Sequence, residues 1–154
     1  IRTLEAIAAQ RTAEANGAEP FHTVYVVPNE EARKQAGLND IDIVEAVDYY
    51  TTSRGQHACS PNKLLLSGLS GAVGFDAFHL AEHLLTQPLH IVIGDKVGAF
   101  GSYKDGFELF NKAASAKKSI QVVSGASHYD LYDQPGPTGK ALEQIIPFFK
   151  EHLG

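Results

Sequence analysis

The sequence predicts an α/β fold with parallel strands, and three observations carry that expectation. From Lys63 onward, short apolar runs alternate with segments of helical period, which is the pattern of βα units with buried parallel strands. Two of the runs, Leu89 to Ile93 and Ile120 to Val123, are short and rich in β-branched residues, as core strands are. The apolar share of 44% is that of an ordinary globular chain, and 154 residues is one domain's length at most.

The elements follow in order. Leu4, Ile7, Ala8 and Arg11 recur at helical spacing between about Arg2 and Asn16, and Gly17 stands where a left-handed C-cap belongs. Thr23 to Val27 is β-branched and stops at Pro28, which predicts a short strand. Asn29 caps a brief helix that Gly37 ends. Asn39 or Asp40 caps a second helix through Ile43, Val44 and Val47 to Tyr50, and Thr51 to Asn62 mixes Ser, Gly, Pro and His without period, as a loop does. Beyond Lys63 the expected elements are Leu64 to Leu66, a helical Phe75 to Leu85, the strand Leu89 to Ile93, a helix over Phe107 to Ala116, the strand Ile120 to Val123, and a final amphipathic helix over Ala141 to Leu153. Two core strands make a sheet too small to stand alone in water, so further sheet is expected from another segment.

Composition narrows the partners. The net charge is −5 with both signs mixed along the chain, so no cationic stripe is present to neutralise phosphates, and nucleic-acid binding is disfavoured. No apolar run approaches the roughly 20 residues of a membrane span. Cys59 is the single cysteine, which rules out an internal disulfide and fits a reducing, cytoplasmic setting. The sequence holds no methionine and begins at Ile1, behind which an initiator methionine is not normally trimmed. Ile1 is therefore read as not a translation start, and the missing leader says nothing about targeting of the parent protein.

The chemistry concentrates near the end. After the strand Ile120 to Val123 comes Gly125-Ala126-Ser127-His128-Tyr129-Asp130-Leu131-Tyr132-Asp133, and then the helix carrying Ile145, Ile146, Phe148 and Phe149. A histidine one short loop beyond a strand's C-terminal end is where open α/β sheets place functional groups. This stretch, with Pro147-Phe148-Phe149-Lys150-Glu151-His152-Leu153, resembles the C-terminus of α/β hydrolases of the dienelactone-hydrolase-like group. The resemblance extends to Pro88 through Asp95, similar to the strand and turn toward the family's acid, and to Asp48 through Gly55.

The resemblance implies the C-terminal half of an α/β-hydrolase fold: the last parallel strands and helices, residues 63–154, plus a cap-like connecting segment, residues 1–62. It implies that His128 is the histidine of a Ser-His-acid triad. The Gly-x-Ser-x-Gly turn and the oxyanion hole would lie on an N-terminal segment or chain absent from this sequence. That segment is the expected partner, a small acyl compound (ester, thioester or related) the expected substrate, and no cofactor is implied. Asp95 is the nearest carboxylate to the strand end and the first choice for the acid, with Asp105 second. The family's acid falls a few residues further into the turn, where this sequence has Val97, Gly98 and Ala99. An aspartate here could instead cap the helix starting near Ser102.

Other readings compete. A non-catalytic binding module of the same fold is one, since the acid position has drifted. Gly68-Leu69-Ser70-Gly71-Ala72 imitates a nucleophile elbow, but Ala72 replaces a glycine that the sharp turn needs, which favours an ordinary turn or helix cap for Ser70. His79-Leu80-Ala81-Glu82-His83 matches the H-x-x-E-H zinc pattern, which needs both histidines on one helical face; with no third ligand evident, no metal is expected. Cys59 beside His57 lacks a helix N-terminus to activate its thiol. Tyr49 is read as packing, while Tyr50 and Arg54 could pack or line a pocket; the sequence does not identify the substrate-binding residues.

Overall fold

In the computed structural model, which describes residues 1–153, the first helix α1 spans Arg2–Ala15. It ends in a Schellman motif: Ala18 N–H donates to the Ala13 carbonyl and Gly17 N–H to that of Glu14, with Gly17 at φ +92°. Two compact units divide the chain, one made of Ile1–Gly37 and Val47–Ala77, the other of Leu38–Ala46 and the chain from Phe78 onward.

In the first unit α1 buries Ile7 and packs on the 3-10 turn Leu66–Gly68 and on α4, Leu69–Val73. The expected strand Thr23 to Val27 is shorter and shifted. Strand β1 is only His22–Thr23, paired antiparallel with β2, Leu64–Leu65. The reason is the Asn62 side chain, which accepts from the N–H groups of Tyr25 and Val26 and donates to the Val26 carbonyl, taking the hydrogen bonds a strand partner would have used. Asn62 itself sits at φ +50°, a conformation asparagine tolerates better than most residues. Leu64 and Leu65 thus belong to a small antiparallel pair and not to the parallel pattern predicted for Leu64 to Leu66, whose last residue opens the 3-10 turn. Helix α2, Glu30–Gln35, is capped as expected: Asn29 accepts from Ala32 N–H at 2.8 Å, and Gly37 at φ +67° stops it.

The second unit is built on a β-α-β unit. Strands β3, Leu89–Gly94, and β4, Lys118–Val123, pair parallel from Leu89↔Lys118 to Gly94↔Val123, and the intervening α6, Ser102–Lys112, packs on both. Helix α8, Pro135–Leu153, also packs on both strands and starts before the predicted Ala141. A short helix α7, Asp130–Asp133, precedes it and was not foreseen. Helix α3, Ile41–Thr51, of which the residues to Ala46 belong to this unit, opens on Asp40, whose Oδ1 accepts from Asp42 N–H as a cap. The predicted helix Phe75 to Leu85 is corrected to a single turn, α5, Ala81–Leu84, because Leu80 adopts φ +61° and acts as its N-cap. Helix α6 likewise ends at Lys112, short of the predicted Ala116. The buried side chains of this unit include Ile93, Ala113, Val123, Ala126, Tyr129 and Ala141. No helix among the described residues is long and apolar enough to cross a membrane.

Candidate active site

The two parallel strands end side by side at Gly94 and Val123, and the loops leaving them are bolted together. Lys96 N–H donates to the Ala126 carbonyl at 3.0 Å, and Gly125 N–H donates to the Asp95 carboxylate at 2.6 Å. Glycine is required twice here. Gly125 turns the chain at φ +75°, and a Cβ on Gly94 would lie 2.2 Å from the Ala126 carbonyl oxygen.

The loop then closes on itself. Ser127, fully buried, accepts from Asp130 N–H at 3.0 Å through its hydroxyl, while Asp130 Oδ2 accepts from Ser127 N–H at 2.9 Å, the reciprocal pattern of a capping box. Lys96 Nζ adds an ion pair to the same carboxylate oxygen at 3.2 Å. The Ser127 amide, and next the Lys96 ammonium, hold the Asp130 carboxyl below the usual carboxylate range. Because the folded value is lowered, this group stabilises the fold above the ordinary carboxylate pKa and loses that contribution as pH falls through the folded value. Ser127→Ala is expected to cost about 0.5–2 kcal/mol and lower the thermal midpoint by a few degrees at neutral pH. Asp130→Asn should also flatten the dependence of the midpoint on pH on the acid side. Identical acid profiles for wild type and Asp130→Asn in a scanning calorimetry series would contradict this account.

Between the two capping residues lies His128. Its Nε2 stands 2.8 Å from the Tyr132 hydroxyl, and its ring meets Tyr129 and Tyr132 edge to face with centroids 5.1 and 5.0 Å away. Tyr129 is buried beneath the loop, so one flank of the imidazole rests on a fixed surface. The Nε2 contact is the ring's hydrogen bond among the described residues, which leaves Nδ1 for another partner. Asp95 shares the edge with His128, but its bond is to the Gly125 amide and not to the ring. Asp105 lies in the first turn of α6, under Gly101.

Sequence reasoning passed over one carboxylate here. Asp42, on α3, is 1% exposed. Its Oδ2 accepts from Phe100 N–H at 2.8 Å, and its Oδ1 is buried with no hydrogen-bond partner. Its carboxyl group presses on Gly98, where a Cβ would lie 2.2 Å from Asp42 Cγ. Neighbouring Asp40, the cap of α3, takes Ala99 N–H, so two aspartates at the start of α3 hold the turn after β3.

The competing residues are placed otherwise. Ser70 is the second residue of α4, its hydroxyl donating to the Ser67 carbonyl and accepting from Arg11, and neither it nor Gly68 has the left-handed backbone that marks a strained turn. His79 precedes the left-handed Leu80 and His83 follows it, so the two do not share one helical face. Cys59 is exposed in a turn, its N–H donating to His57 Nδ1. Tyr49 packs edge to face on Tyr50 and beneath the Arg54 guanidinium, which pairs with Asp48. Tyr50 also lines an open cleft of about 770 Å³ with His57 and Asn62.

These features define an α/β chain whose candidate site is a strand-end loop presenting a histidine. Among known proteins, the chain is 36% identical over 126 residues to the uncharacterized protein YcjY of Escherichia coli (strain K12), a match covering 82% of this chain and 37% of that protein. It is 29% identical over 155 residues to the uncharacterized protein PA2218 of Pseudomonas aeruginosa, covering 99% of this chain and 38% of that one. The chain thus spans well under half the length of the curated relatives it matches. The crystal structure of PA2218 superposes with a TM-score of 0.75 at 25% identity, over 98% of this chain and 44% of that one. The structure of DcsB, solved with its substrate analogue, shares the fold with a TM-score of 0.69 at 17% identity, over 98% of this chain and 50% of that one. No family model matches the sequence.

Proposed function

We propose that this chain is the C-terminal half of an α/β-hydrolase fold, and that the assembled protein is a serine hydrolase acting on an ester, thioester or related acyl substrate. The observation that carries the reading is the presentation of His128: an imidazole on a doubly capped loop, at the C-terminal edge of a parallel strand pair, with one nitrogen against a hydroxyl and the other uncommitted. Such an imidazole takes the proton of a serine hydroxyl as it attacks an acyl carbon and returns it to the leaving group. Residues 1–62 act as a cap-like connecting segment and 63–154 as part of the core. The nucleophile and oxyanion hole come from an N-terminal segment or chain outside this sequence, a reading supported by matched relatives more than twice as long as this chain. For the triad acid, Asp95 at the end of β3 is the residue the sequence favours. DcsB, a structural neighbour solved with a substrate analogue, supports an enzymatic role for the fold. No cofactor enters this reading.

The full-length protein incubated with a fluorophosphonate probe should be labelled on one serine, located by peptide mass spectrometry in a Gly-x-Ser-x-Gly turn outside this chain. A folded full-length protein that takes no label would leave a binding module of the same fold as the reading. Labelling at Ser70 would move the nucleophile into this chain.

A further inference from the structure

Position 98 is the middle of the turn that follows β3, beside the loop that bears His128. It is glycine, and the volume its side chain would fill is occupied by the carboxyl group of Asp42 from a different element. That carboxyl is 1% exposed, with Oδ2 bonded to the Phe100 amide and Oδ1 bonded to nothing. A buried carboxylate oxygen without a donor is costly, and natural structures rarely keep one without use. On the adjoining loop, His128 has one ring nitrogen engaged and, among the described residues, no partner for Nδ1. The other carboxylates of this edge are already committed: Asp95 to Gly125, Asp130 to Ser127 and Lys96, and Asp40 to Ala99 and Asp42 N–H.

We infer that Asp42 positions His128: its free Oδ1 is the acceptor for the His128 Nδ1–H, and α3 delivers to the turn the carboxylate that position 98 lacks. Gly98 is small because Asp42 needs the space. Asp95 is then a loop anchor. The bond between Asp42 and His128 is not made in this structure, and catalytic hydrogen bonds of this kind commonly tighten only when the reacting partners are in place. The inference deepens the proposed hydrolase reading but concerns a pair of residues that can be observed without any turnover.

The test uses the full-length protein and two readouts. In the first, the His128 ring is titrated by NMR in wild type, Asp42→Asn and Asp95→Asn. Loss of a facing carboxylate should lower the His128 midpoint by about one pH unit or more in Asp42→Asn and leave it within a few tenths in Asp95→Asn. In the second, ester turnover in Asp42→Asn should fall by about 10³- to 10⁴-fold with KM changed only a few-fold. Should Asp42→Asn fold poorly, Asp42→Ala with Gly98→Asp returns the carboxylate from the other side, and should recover at least about tenfold of the turnover lost in Asp42→Ala. Asp42→Ala with Gly98→Asn, which fills the same space without charge, should not. An unshifted His128 titration in Asp42→Asn, a larger shift in Asp95→Asn, or equal recovery with Gly98→Asn overturns the assignment. A shifted His128 in a protein that takes no fluorophosphonate label would sustain the pair and sink the hydrolase reading; the reverse combination would do the opposite.

Discussion

On the proposed triad reading, replacing His128 by alanine in the full-length protein is expected to lower ester turnover by about three to four orders of magnitude, the usual cost of losing a triad member. The thermal midpoint should move by only a few degrees. The asymmetry follows from the surroundings. The ring lies partly open to solvent and gives up one hydrogen bond, to Tyr132, worth about 0.5–1.5 kcal/mol. The capping pair of Ser127 and Asp130, which shapes the loop, stays intact. His90→Ala is the control: that ring sits near the start of β3 against Ser119 and Phe148, at the opposite end of the strand from His128. It should cost stability and leave turnover near that of the wild type. Turnover in His128→Ala close to wild type would end the triad reading, and a joint collapse of turnover and midpoint would mean that loop packing had been measured instead.

The second large effect is structural. Gly94→Ala places a methyl group 2.2 Å from the Ala126 carbonyl oxygen and 2.8 Å from its carbon, and both belong to backbone that cannot rotate aside. The turn after β3 and the loop after β4 must part, which threatens the Lys96 to Ala126 and Gly125 to Asp95 hydrogen bonds together. Overpacking of this kind costs about 3 kcal/mol, on the order of 10 °C in midpoint for a chain of this size. Turnover should fall about a hundredfold as well, since the histidine loop is displaced by a sizeable fraction of an ångström or more. Gly136→Ala, with nothing within 4 Å of the added carbon, is the matched control and should leave both unchanged. A midpoint for Gly94→Ala within two or three degrees of wild type would show that the two loops are not locked as described.

Signals written into a few consecutive residues were the ones that could be read from the sequence. Gly17, Asn29, Gly37 and Asp40 act at helix ends through bonds to neighbours one to five residues away, and each does what its residue type predicts. The runs Leu89 to Ile93 and Ile120 to Val123 were recognisable as strands because β-branched residues dominate both. Errors arose where a distant group intervened or a local signal was weak. Asn62 captures the backbone of Tyr25 and Val26 from across the first unit and shortens a strand that β-propensity alone extends. Leu80 in a left-handed conformation breaks a run whose apolar spacing reads as helix. The Ser127 to Asp130 pair has the Ser-x-x-Asp spacing of a capping motif, a local signal of the same kind as those at the helix ends. Asp42 could not have been found: nothing beside it in sequence announces that its carboxyl group fills the place of a side chain at Gly98.

The bracing of the histidine loop also bears on its motion. The N–H groups of Gly125, Ala126, Ser127 and Asp130 each donate within the protein, to Asp95, Val123, Asp130 and Ser127 in turn. Surface loops ordinarily expose such amides and exchange their hydrogens through small local openings. Here the four bonded amides brace the same short loop, so those of Gly125, Ala126, Ser127 and Asp130 should exchange with the slow, cooperative kinetics of the strands the loop follows.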